Sequence, residues 1–447
     1  MRAKIIQQVL QSTDKTPPNK HKPLQKHLKM AANPFRFFRG TANLFYDDVA
    51  TGVLPLPRTL TNAIPLTSVM GDCHVANFGF LTEEGSHGDN IIFSPNDFDD
   101  ACIGHSLWDI LRFTTSLVLT QGLGVGIAQG IYAAEKFNSV EGLHPTTEQQ
   151  LSNAIRHFID AYVSCCDALI QGTLHRDAVV TNFKKSHSLH RFEKKAKQRG
   201  TEGKHFLSKS ALAKAIEWQE QKKSGPAFKQ NPQKFRTLPD NVEADLLETF
   251  APYVNDSIIA LTERLGAGTG SVNMQRFYLL VGPQNIQSDQ ELSLCHIVEV
   301  KQQREAAPLQ HFASLSPVNR LNPAHLTVNC QRRMQRKPDL VLDEVVWHGK
   351  HWLVRSRHHA RVGISPEVIA LAEDKNNPTM LEYADACGRA LALAHARGDR
   401  RSTLFEQAIV QHLPAYAEEI QHLSVAYAQQ VTEDMTALRE MIAYAAT

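Results

Sequence analysis

The sequence predicts an α+β protein of two lobes: a small antiparallel-sheet lobe over 255–360 and a mainly helical lobe built from the rest of the chain. Three observations carry this reading. Between 255 and 360, short strand-like runs such as FYLLVG and LSLCHIVEVK follow one another, the second with the alternation of a half-buried strand. Outside that region apolar residues recur at three- and four-residue steps. One stripe runs through Leu107, Ile110, Leu111, Thr114 and Leu117, another through Leu381, Ala384, Gly388, Leu391 and His395. The length of 447 residues, with 42% hydrophobic and 21% charged residues, is ordinary globular composition and more than one small core requires.

The elements follow in order. Residues 1–30 are polar and basic, carry Pro17, Pro18 and Pro23, and read as a flexible arm. Residues 31–250 form the first part of the helical lobe, opening on the aromatic and basic segment NPFRFFRG. Ile64–Met70 reads as a strand leading into GDCHVANFGF, and Asn90–Ser94 as a second short strand stopped by Pro95. Helices are expected from Ser106 through Ala134 and across Thr147–Leu169. Phe113–Ala134 has no charged residue, but Gln121, Gln129 and four glycines make it poor bilayer material, so it reads as a buried helix pair broken near Gly122–Gly126. Residues 184–223 hold twelve Lys or Arg against four acidic residues. That is a solvated helical face or insertion first, and a phosphate or nucleic-acid face second. A helix-like stretch over Glu243–Leu265 leads to the sheet lobe, where Glu344–Trp347 and His351–Arg355 pair about a turn at Gly349–Lys350. Residues 370–447 return to helix and complete the helical lobe, ending on the stripe Ile420, Leu423, Tyr427, Val431, Met435 and Leu438.

Composition excludes several classes. A net charge of +2 does not make the chain as a whole a polyanion binder. Seven cysteines without a CxxC pair speak against zinc ribbons and for reduced thiols in the cytoplasm. The first residues contain no apolar stretch followed by a cleavage site, so a cytoplasmic location is expected and no membrane association.

Asp72, His74, Asn77 and Asp97 form the chemical constellation. Phosphoryl transfer needs a carboxylate to orient or deprotonate the acceptor hydroxyl, and hard oxygen ligands to hold Mg²⁺ against the triphosphate. In kinases an Asp stands five positions before an Asn on one short loop, and a second Asp follows on the next β-turn. Asp72, Asn77 and Asp97 repeat that order. Asp72 is the expected base, Asn77 and Asp97 the metal ligands, and Asp99 an outer ligand. His74 either braces the loop through a backbone hydrogen bond or shares the catalytic role. GDxHxxN alone is explained equally well by a polar turn; NDFDD and HSLWD at the matching distance weigh against that. A second constellation is Gly266, Gly268 and Gly270 before one strand and Lys301 at the end of the next. Glycines let backbone N–H groups approach phosphates, and a strand lysine reaches them from the side. A hairpin turn explains the glycines alone, and the VEVK ending supports the phosphate reading. The expected cofactors are ATP and Mg. Lys301 should lie close to Asp97.

The segments NPFRFFRG, GDCHVANFGF, NDFDD, HSLWDILRF and ALAHARGD resemble the blocks of a bacterial domain-of-unknown-function family, family 2252, over most of the chain from about Asn33. That family is grouped with the protein-kinase-like and aminoglycoside-phosphotransferase-like folds. The resemblance implies a kinase-like two-lobed fold and an ATP-dependent phosphotransferase with unknown acceptor. It also implies that Asp109 ties down the Asp72 loop. The glycine loop follows the Asp72 loop instead of preceding it, so the fold would be circularly permuted, with the 380–399 helix packed beside residues 72–77. One departure stands out. Between Glu305 and Asp339 there is no acidic residue to pair with Lys301, and Asn329 is the candidate for that place. The departure keeps a non-catalytic nucleotide-binding or scaffold module as a rival. A metal-dependent phosphoesterase is a second, with His358 and His359 as its paired histidines. A small molecule and a protein are equally open as acceptor, and nucleotidyl transfer is as open as phosphoryl transfer.

Overall fold

The computed structural model describes residues 2–20, 23–86, 90–218, 225–266, 274–399 and 402–446. The alternating sequence of the second half builds a six-stranded antiparallel sheet. Its order is Leu342–Trp347, Lys350–Arg357, His296–Gln302, Arg276–Gly282, Ser257–Arg264 and Phe235–Arg236. Val298 and Val300 join Phe277, Leu279 and Trp352 on one face, packed on the helix Asp240–Phe250 through Leu246 and Phe250. The two-residue period therefore turns Glu299 and Lys301 to the other face. There Lys301 stands opposite Arg276 and Leu353, and Glu299 opposite Tyr278 and Arg355.

Two boundaries differ from expectation. The helix before the sheet ends at Phe250, and Ser257–Arg264 is a strand where helix was expected. Pro252 removes a backbone donor just beyond the helix, and the β-branched run that follows favours extension. The hairpin turns at His348 and Gly349, both at positive φ, one residue earlier than expected.

The helical lobe has one core that joins residues 6–196 to residues 306–438. Helix Thr379–Asp399 packs on Glu148–Ile170, and Ala417–Ala446 packs on Ser106–Ala128, so both ends of the chain build the same lobe. Within the expected arm, the described residues 2–20 and 23–30 include two helices, Arg2–Asp14 and Gln25–Met30, that pack on the lobe. Arg2–Asp14 is a helix that buries Ile6 and Leu10, and Arg2 pairs with both Asp48 and Asp434. The apolar spacing Ile6–Leu10 is the helical signal in an otherwise polar stretch. Ser106–Ala128 is one unbroken helix through Gly122–Gly126. By length and composition alone it could cross a membrane, but 78% of its apolar window is buried within the fold.

Candidate active site

The strand Thr67–Val69 pairs antiparallel with Cys102–Gly104, which lays the loop 70–77 beside the loop 96–101. Asn96 N–H donates to the carbonyl of Asn77 at 3.0 Å and joins the two loops. Gly71 has φ +73°, and a Cβ there would lie 1.9 Å from the Asp100 carbonyl oxygen, so no other residue fits at this crossing. The fully buried Asp109 accepts from Met70 N–H at 2.6 Å and Gly71 N–H at 3.1 Å. Its Oδ2 lies 3.0 Å from His395 Nε2, whose other ring nitrogen meets the Tyr162 hydroxyl at 2.6 Å. Asp109 thus fastens the Asp72 loop from helix Ser106–Ala128, as the resemblance implied. Helix Thr379–Asp399 holds the same loop: Tyr383 donates to the Val75 carbonyl, and Thr67 to the His395 carbonyl at 2.7 Å. Gly398 lets this helix close on the strand, since a Cβ would lie 2.6 Å from Thr67 Oγ1.

Asp72, His74, Asn77, Asp97, Asp99 and Lys301 line one cleft between this lobe and the sheet. Asp72 Oδ1 accepts from Arg112 Nε at 2.8 Å and Nη2 at 2.5 Å. Burial pushes the Asp72 carboxyl up, but the Arg112 guanidinium and His74 outweigh it and hold it well below the usual range. Asp72 is therefore an ionised carboxylate at neutral pH. His74 does not brace the loop through a backbone hydrogen bond. Its Nε2 lies 3.6 Å from Asp72, its buried Nδ1 has no partner among the described residues, and burial lowers its pKa. Asn77 donates its side-chain amide to the Asp72 carbonyl at 2.9 Å, leaving Oδ1 as the atom it can offer to the cleft.

The two carboxylates of NDFDD divide their work. Asp99 pairs with Lys301, accepts from Gln303 at 3.2 Å, and has Arg355 at 3.7 Å. Burial acts against ionisation, but Lys301 and Arg355 hold its carboxyl low. Asp97 has no hydrogen-bonded cation among the described residues. Burial and then the Asp99 charge raise it to about 6, against Lys301 and Arg355. Lys301 thus sits beside Asp97, as expected, but its direct partner is Asp99. Asn329 is on helix Pro323–Met334 and does not line the cleft. His358 pairs with Asp339 at 3.2 Å and, like His359, lies outside the cleft lining. Among the described residues no cluster of three His, Cys, Asp or Glu side chains is placed to hold a metal. Gly266, at φ +64°, follows the strand Ser257–Arg264, while Gly268 and Gly270 lie outside the described residues.

Sequence reasoning missed the arginines. Arg276, Arg355 and Arg357 converge on the fully buried Glu299 at 3.0–3.1 Å. Burial opposes its charge, but the three guanidiniums keep Glu299 well below the usual range. Arg304 binds Asp100 at 2.7 Å, and Arg39 faces the sheet from the helical wall. The signal was present in RSRHHAR: continuing the expected strand His351–Arg355 by two residues puts Arg355 and Arg357 on one face with Glu299 and Lys301.

Fold and site define an α+β protein with a strongly cationic, carboxylate-bearing cleft between a sheet and a helical lobe. A bacterial family described as "Uncharacterized protein conserved in bacteria (DUF2252)" matches residues 22–441, and the chain belongs to that family. No curated protein and no solved structure matches the chain.

Proposed function

We propose that this protein is an ATP- and Mg²⁺-dependent phosphotransferase of kinase-like, circularly permuted fold. The observation that carries the reading is the convergence of Asp72, Asn77, Asp97 and the Lys301–Asp99 pair on one cleft, although they come from positions more than two hundred residues apart. Two features fit a divalent cation. Asp97 is a half-buried carboxyl without a cationic hydrogen-bond partner among the described residues, and Asn77 has its amide nitrogen occupied and its oxygen available. Mg²⁺ takes one or two protein carboxylates or amides and fills its remaining positions with phosphate and water, so a small donor set suits it. Asn77 and Asp97 would hold it, and when bound it neutralises charge on the transferring phosphoryl group. Lys301, fixed by Asp99, would meet the nucleotide phosphates. The arginines around Glu299 add positive potential along the sheet wall.

Asp72 orients the acceptor hydroxyl and accepts its proton as the new P–O bond forms. A carboxylate held this low is a weak base, so positioning is its larger share of the work. The test is a nucleotide thermal-shift panel with and without Mg²⁺, followed by mass spectrometry of products. A Mg²⁺-dependent shift with ATP and a phosphorylated product are expected. No shift with any nucleotide removes the reading.

A further inference from the structure

Most cations of the cleft are hydrogen-bonded or ion-paired within the protein, although their charge is not fully neutralised. Arg276, Arg355 and Arg357 share Glu299, Lys301 holds Asp99, and Arg304 holds Asp100. Arg361, on the rim, donates to Asn96 Oδ1 at 3.0 Å. Arg39 differs. No hydrogen bond or ion pair joins it to any described residue, and its Nε is buried. Asp72 and Asp97 act on its charge through space without touching it.

The backbone that carries Arg39 is fixed with respect to Asp72. Asn33 caps its helix by accepting from Arg36 N–H at 2.9 Å. The Phe38 carbonyl, one residue before Arg39, accepts from Arg112 Nη2 at 3.0 Å, and the Arg112 guanidinium also holds Asp72. The same guanidinium lies 4.2 Å over the Phe38 ring, and Phe35 packs edge-on against His74 at 6.1 Å. One arginine thus sets both the Asp72 carboxylate and the helix that presents Arg39. A half-buried guanidinium with no hydrogen-bonded counter-ion among the described residues weakens the fold, and proteins retain such groups where a ligand supplies the missing contact.

We propose that Arg39 anchors an oxyanion of the acceptor, so that the acceptor is a small hydroxyl compound bearing a phosphate or a carboxylate, gripped by Arg39 with its hydroxyl at Asp72. This rests on the phosphotransferase reading above. Arg39 reaches the cleft from the helical wall that carries Asp72, whereas Lys301 comes from the sheet wall, so acceptor and nucleotide enter on different walls. In the reaction the acceptor oxygen forms a bond to the γ-phosphorus, the β,γ-bridging P–O bond breaks with its electron pair leaving on ADP, and the hydroxyl proton passes to Asp72.

The test titrates inorganic phosphate and acetate, separately, into the protein saturated with AMP-PNP and Mg²⁺, by calorimetry, for wild type, Arg39→Gln and Arg39→Lys. The loss of a charge-assisted contact predicts at least about tenfold weaker oxyanion binding in Arg39→Gln and partial recovery in Arg39→Lys. Preference for phosphate over acetate, or the reverse, tells which oxyanion the acceptor carries. The AMP-PNP affinity should stay within about twofold, because the nucleotide is held on the other wall. The Arg39→Gln melting temperature should not fall, since the variant loses an unpaired cation. Three results overturn the proposal: equal or absent oxyanion binding in wild type and Arg39→Gln, loss of nucleotide affinity in Arg39→Gln, or a lower melting temperature. If wild type fails to bind AMP-PNP, the phosphotransferase reading falls by itself. The same titration without nucleotide then decides the site: a tenfold loss in Arg39→Gln keeps it as an oxyanion site, and equal binding removes it.

Discussion

Replacing Asp97 with Asn should make the ligand-free protein more stable and, in the same step, insensitive to magnesium. Burial and the neighbouring Asp99 charge raise the Asp97 carboxyl from 3.8 to about 6, against Lys301 and Arg355. Keeping it ionised at neutral pH costs about 3 kcal/mol, because each tenfold change in proton affinity is about 1.36 kcal/mol. Asp97 is partly open to the cleft, and solvent screening reduces the figure to roughly 1–2 kcal/mol. At an unfolding entropy of about 2.1 cal/mol/K per residue, a chain of this length gains about 1–2 °C in Tm. The folded-state pKa lies above the unfolded one, so the folded protein binds more protons between the two values. The stability this proton contributes is complete below the unfolded value of 3.8 and is lost as pH rises through about 6. Asn carries no such loss. The Tm difference between variant and wild type should therefore be near zero at about pH 4, open through pH 6 and stay level above it. Scanning calorimetry from pH 4 to 8 reads that window, and repeating it with ATP and Mg²⁺ reads the metal. A variant that melts lower at neutral pH, or keeps a magnesium-dependent nucleotide shift, would refute the reasoning.

Asp72→Asn keeps the shape and removes the charge. Turnover, measured as product by mass spectrometry, should fall roughly a hundredfold or more while nucleotide affinity survives. Lys301→Met removes the direct cationic partner of Asp99, leaving Gln303 at 3.2 Å and Arg355 at 3.7 Å, and should cost roughly 2–3 kcal/mol in urea unfolding. The double variant with Asp99→Asn should regain most of that loss, and additive losses would show that the pair is not coupled. Asp109→Ala strands the N–H groups of Met70 and Gly71 and should lower stability by roughly 2–4 kcal/mol. Unchanged urea midpoints there would mean that the loop does not depend on Asp109.

The sheet was legible because its chemistry repeats every two residues. Val298 and Val300 face one way and Glu299 and Lys301 the other, and HIVEVK displays that alternation directly. The Asp72 loop was legible because Gly71, Asp72 and Asn77 are local, and the backbone crossing at Asp100 accepts only glycine. Partner choice was not legible. Lys301 pairs with Asp99, some two hundred residues earlier, so a search near Glu305 and Asn329 looked in the wrong place. Arg112 hid inside an apolar helix, where its link to Asp72 and Phe38 exists only after folding. Arg39 stood inside a recognised block, but nothing in a linear reading tells an unpaired guanidinium from a paired one. The first helix was overlooked because Pro17, Pro18 and Pro23 outweighed the Ile6–Leu10 spacing just before them.

The most direct measurement is a crystal structure with AMP-PNP and Mn²⁺, located by its anomalous signal. One Mn²⁺ is expected within coordination distance of Asp97 Oδ and Asn77 Oδ1, about 2.1–2.3 Å as for hard oxygen ligands. The nucleotide phosphates should lie against Lys301, and the Asp72 carboxylate should face the γ-phosphate. A nucleotide bound elsewhere, or a metal that avoids both Asn77 and Asp97, would contradict the phosphotransferase reading.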